Sequence, residues 1–155
     1  MNLERILLAV QGYMELDMPH EALRELASIA VADAGREDVL QVKLLVFMRM
    51  KSWEEALEIC RLLQKMNPEA TASYVHGAFC LHEKGWTTEA KAMLLSGPAG
   101  LLQEPIYYYN LACYDAILGN LREAERNLLI SFKMDKKFRE IAKYDPDLRA
   151  IKHLI

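Results

Sequence analysis

An all-α solenoid built from four helix-turn-helix units is the fold this sequence predicts, and three observations carry that prediction. The dipeptide Glu-Ala returns at Glu21-Ala22, Glu55-Ala56, Glu89-Ala90 and Glu123-Ala124, every copy at one and the same interval from the last. Apolar rows keep that interval: Ile6, Leu40, Tyr74 and Tyr108; Tyr13, Phe47 and Leu81; Leu26, Cys60, Leu94 and Leu128. Within each unit the apolar residues recur three and four apart, which is the helical period, and a break near the middle divides the unit into two helices.

Taken in order, helices are expected near 2–16 and 19–33, 37–50 and 53–66, 70–84 and 87–96, and 104–118 and 121–133. The breaks have the chemistry for the task. Gly85 and Gly119 suit the left-handed conformation that ends a helix, and Pro19 suits the first turn of the next. Asn67-Pro68 and Glu104-Pro105 mark unit boundaries, because the residue before proline is pushed out of the helical region. Gly97-Pro98-Ala99-Gly100 should cut the sixth helix short and leave a mobile connection to Pro105. The units then run over about 3–36, 37–70, 71–104 and 105–136 within a single domain, closed by a cap over 137–155. In that cap Asp145 before Pro146 reads as the start of a last helix reaching about Leu154.

The alanine row has a steric reason. Two paired helices approach closely only where the contact residue is small, and a longer side chain wedges them apart.

Composition removes several classes of function. The chain has 155 residues, 52% hydrophobic and 26% charged, which is an ordinary globular mixture. A net charge of −3 supplies no positive field over the whole molecule for nucleic acid. The stretch from Lys133 onward is locally basic and reads as a solvated helix face. Cys60, Cys80 and Cys113 are an odd number without a paired spacing, so they read as buried small hydrophobes in a reducing compartment, the cytoplasm. The apolar run Ile6 to Val10 is too short for a signal-peptide core or a membrane span.

A helix-turn-helix of this period, with alanine opening the second helix, small residues facing it and proline at the unit end, resembles the tetratricopeptide repeat. The second unit carries the resemblance through Leu40, Leu44, Phe47, Trp53, Ala56 and Pro68, and the fourth through Tyr108 to Ala112 and Gly119-Asn120-Leu121. The resemblance implies a right-handed superhelix whose first helices line a concave, partner-binding face. In this chain that face comprises Leu7, Gln11 and Met14, then Gln41, Val42, Leu45, Met48 and Arg49. It continues with Val75, His76, Phe79 and His82, and ends with Tyr109, Asn110, Cys113 and Ile117. More than half of these groups are apolar, which suits an amphipathic helix or an extended apolar segment. One subset of the family grips chaperone C-terminal carboxylates with Lys, Arg and Asn. The matching places here, Leu7, Gln11, Val42, Ala72 and His76 in the first three units, hold no cation for that purpose.

Chemistry-bearing motifs are absent. His76 and Cys80 lie four apart on one helix, but no third ligand follows at a metal-site spacing, and Cys113 has no recognisable base. No phosphate loop or hydrolase turn occurs, and the carboxylates lie mainly at helix starts and exposed faces. The expectation is therefore a non-enzyme without cofactor or metal: a scaffold or adaptor for a protein or peptide partner, with no nucleic acid and no membrane insertion. A secretion-type chaperone shielding a hydrophobic client, and a homo-oligomeric assembly protein, are the alternatives.

Overall fold

The computed structural model describes residues 2–155, which form helices joined by turns, with no strand among them. Four antiparallel pairs follow one another: α1 (Leu3–Glu15) with α2 (Pro19–Leu26), α3 (Glu37–Arg49) with α4 (Trp53–Met66), α5 (Ala72–Glu83) with α6 (Thr87–Leu95), and α7 (Pro105–Leu118) with α8 (Leu121–Met134). A 3-10 helix, Ala99–Gln103, lies between α6 and α7; α9 (Lys137–Ala142) and a second 3-10 helix, Pro146–Leu154, end the chain. The pairs fall into two compact units, one reaching to Asn67 and one spanning Pro68–Ile155.

The period of the sequence reappears in the backbone. Each first helix ends on a left-handed residue, at Asp17, Lys51, Gly85 and Gly119. The next N–H closes that turn on a carbonyl five residues back: Met18 on Tyr13 at 2.8 Å, Ser52 on Phe47 at 2.9 Å, Trp86 on Leu81 at 2.9 Å, and Asn120 on Asp115 at 2.8 Å. The same four residues then accept from the N–H groups of Ala22, Ala56, Ala90 and Ala124. All four alanines have zero exposure, as close helix contact requires. We expect Ala56→Leu or Ala90→Leu to cost about 1–3 kcal/mol by overpacking, read as a lowered urea midpoint.

Two of the four left-handed residues have a side chain where glycine would fit better, which local sequence signals did not reveal. Lys51, at φ 58, bears the steric cost of a Cβ in that region. Lys51→Gly should therefore raise stability by about 0.5–1 kcal/mol in a thermal melt, whereas Gly119→Lys should lower it.

Two elements depart from the sequence expectation. The second helix stops at Leu26 rather than near 33. Beyond it, the N–H groups of Ser28 and Ile29 turn to carbonyls three residues back, and the Ser28 hydroxyl donates to the Glu25 carbonyl at 2.6 Å. After buried Ile29 the stretch has little to bury, Val31 being 94% exposed. The connection after Gly97 is structured: Leu101 of the 3-10 helix is buried, and it sits where a Cβ on residue 97 would have to go. The last helix spans Pro146–Leu154, the range expected, in the 3-10 form and with a break at Ile151. Its Asp145 cap is present, the carboxylate accepting from the Asp147 N–H at 3.0 Å.

Candidate functional site

The first helices carry the candidate residues, and the two units treat them differently. In the N-terminal unit the core of Ile6, Val10, Ala22, Leu26, Ile29, Val39 and Val46 is flanked by half-buried Leu7, Met14 and Val42, which pack onto it. Met48 is also half-buried. Gln11 and Gln41 face solvent, and so do Leu45, Leu8 beside Leu7, and Arg49. Arg49 pairs with Asp17 at 3.1 Å, an exposed ion pair worth little.

In the C-terminal unit part of the corresponding face is filled from within the chain. The 3-10 helix Pro146–Leu154 packs on α7, burying Leu148 and Ile151. The segment leading into it reaches Tyr109 and Cys113. The Tyr109 hydroxyl donates to Asp145 Oδ2 at 2.7 Å, and the Cys113 thiol approaches the same oxygen at 3.5 Å. The Tyr109 ring lies 5.1 Å from that of Phe138 on α9. From α5, His82 Nε2 meets Asp147 Oδ2 at 2.8 Å while its Nδ1 meets the Thr87 hydroxyl at 2.9 Å. Tyr109 and Cys113, which the repeat register assigned to a partner, are accordingly buried by the chain's own residues. Val75, His76, Phe79 and Asn110 are half-buried, and Ile117 is exposed.

This arrangement sets the electrostatics. The Asp147 hydrogen bond raises the His82 pKa above its usual value, despite partial burial. Burial, reinforced by Asp145 and Asp147, pushes the Cys113 thiol well up, so it stays protonated at neutral pH and is a poor nucleophile. Burial and the bond to Asp145 also raise the Tyr109 phenol, and burial lowers His76. Ligand atoms of Cys113, Asp145 and Asp147 lie within 4.8 Å of one another, the kind of grouping a metal uses. Here the Asp145 carboxylate already accepts from Tyr109 and Cys113, and that of Asp147 pairs with His82.

The sequence reading missed Asp145, Asp147 and Thr87 as members of this cluster. Asp145-Pro146 was legible only as a local cap, and the His82–Asp147 contact joins distant parts of the chain with no motif to announce it.

His82 makes the cluster pH-sensitive. Because its folded pKa is raised, its contribution is fully present below the unfolded value of about 6.5 and fades as pH rises through the folded one. Lowered His76 acts the other way, losing stability as pH falls. The difference between wild type and His82→Gln therefore isolates the first effect: the wild-type advantage in melting temperature should shrink as pH increases above about 6.5.

The pairs, their turns and the buried alanine row define an all-helical, tetratricopeptide-like fold. Among solved structures, the chain is similar to MamA MSR-1 C2, with a TM-score of 0.74 at 17% identity over 88% of this chain and 79% of that one. It is also similar to a MamA mutant, with a TM-score of 0.69 at 18% identity over 87% and 78%. MamA contains tetratricopeptide repeats, and at this identity the likeness is one of fold. No family model matches the chain, and no curated protein matches it in sequence. No helix among the described residues is long and apolar enough to cross a membrane.

Proposed function

We propose that this chain is a non-catalytic protein-interaction scaffold, and that α1 and α3 receive an apolar peptide segment or an amphipathic helix from a protein partner. One observation carries the reading. At one position of the repeat the chain carries Gln11, Leu45, Phe79 and Cys113 in turn. In the C-terminal unit this position is buried at Cys113 and half-buried at Phe79, while in the N-terminal unit Leu45 stays 51% exposed; Leu8, at a different repeat position on α1, is 69% exposed. Apolar groups left open at a position the same fold covers elsewhere suit an external ligand. Half-buried Met48, one turn along α3 from Leu45, supplies an adaptable contact. The buried free cysteines support a cytoplasmic setting, and the net charge of −3 gives no support to a nucleic-acid role.

A photo-crosslinking residue at position 45 tests the reading against the same residue at position 62, where Leu62 on α4 is 49% exposed. Adducts specific to position 45 and lost on Leu8→Asp are expected. Equal yields at both positions would remove the reading. The mass of the adduct separates a foreign partner or secreted client from a second copy of this chain, which would favour homo-oligomeric assembly.

A further inference from the structure

We propose a second interaction surface, independent of α1 and α3, in the cleft between α8 and α9: a docking site for an acidic peptide segment that also carries an aliphatic side chain. The open cleft has a volume of about 670 Å³ and is lined by Leu129, Phe132 and four cations, Lys133, Lys136, Lys137 and Arg139. Its one acidic lining residue, Glu140, pairs with Lys143 at 2.8 Å. Lys133 and Lys136 have no ion-pair partner among the described residues. The other two cations are held: Lys137 lies 3.6 Å from Asp135, and the Arg139 guanidinium sits 4.6 Å from the Phe132 ring centroid while donating to the Leu154 carbonyl. A locally positive cleft is thus maintained in a chain whose net charge is −3.

Charge and shape together select the occupant. Low-dielectric walls concentrate the field of the lysines, favouring carboxylates at the rim. Leu129, 48% exposed beside the buried Phe132 ring, leaves an apolar spot for an aliphatic group. A purely acidic peptide would leave Leu129 uncovered. A short segment alternating acidic and aliphatic residues satisfies both.

The probe is a fluorescein-labelled leucine–glutamate peptide of about a dozen residues, with a leucine–lysine peptide as its counterpart, titrated by fluorescence anisotropy against the full chain. The glutamate peptide should bind, more weakly with rising salt, and the lysine peptide should not. Lys133→Glu with Lys136→Glu should weaken binding about tenfold or more, and Leu129→Ser about threefold. All three side chains are exposed, so an unchanged circular dichroism spectrum is expected for both variants. Absence of binding, equal binding of both peptides, or indifference to the charge reversal overturns the proposal. So does sedimentation of the chain with vesicles rich in phosphatidylserine when the peptide does not bind, which would assign the cations to a membrane surface.

Discussion

Leu148→Ala should destabilise the Pro68–Ile155 unit by about 2–4 kcal/mol, although it lies in a short 3-10 helix near the end of the sequence. Leu148 is 1% exposed and Ile151 is fully buried, so this segment is anchored by side chains rather than by its own backbone. Truncation removes the transfer energy of the leucine and leaves a cavity that α7, already fixed against α8, closes poorly. The same anchor sets Asp145 against Tyr109 and Cys113 and Asp147 against His82, so loosening it should expose the inner face of α7. Two measurements read this outcome: a lowered urea midpoint, and faster thiol labelling at Cys113 located by mass spectrometry. Tyr144→Ala is the control, since Tyr144 is 85% exposed and should change neither. An unchanged midpoint with Cys113 still protected would show that the segment does not hold the face.

The contrast between this segment and the helix pairs explains what was legible in the sequence. Ala22, Ala56, Ala90 and Ala124 could be read because each answers a local demand, close approach of two consecutive helices, that recurs at a fixed interval. Gly85 and Gly119 announced their left-handed turns, whereas Asp17 and Lys51 adopt the same conformation without the residue that signals it. The end of α2 was missed because Ala27 to Ala34 contains good helix formers; what stops the helix is the lack of anything further to bury after Ile29. The first-helix face was found by register, but its division into open and covered parts was not. Covering depends on where Asp145 to Leu148 return in space, and nothing in Asp-Pro-Asp-Leu itself specifies Tyr109 or His82 as neighbours. The same holds for the cations of α8 and α9: their number was evident, but not the cleft between them.

Lys91→Leu should cost about 3 kcal/mol, and the reason begins with a gap in an otherwise apolar row. Tyr13, Phe47 and Leu81 are followed in the fourth repeat by Asp115, a carboxylate where the other repeats place an apolar side chain. The fold nonetheless buries it, leaving 1% of the residue exposed. Its charge is met by the Lys91 ammonium at 2.6 Å and by the Asn120 side-chain amide at 3.1 Å. Lys91 in turn stands where the earlier repeats hold Leu23 and Leu57. Apolar positions on α6 and α7 have thus been exchanged for an ion pair whose desolvation roughly offsets its attraction. Removing the lysine alone leaves the carboxylate in place with only a neutral amide to answer it, and that imbalance makes the single change severe. Restoring both positions to apolar residues, Lys91→Leu with Asp115→Leu, should recover most of the loss or exceed wild type, since Asn120 is exposed and can turn to water. Urea denaturation of wild type, both single variants and the double variant gives the coupling directly. If the double variant is as unstable as the sum of the single ones, the two residues act independently and Asp115 is held by the helix backbone rather than by its lysine.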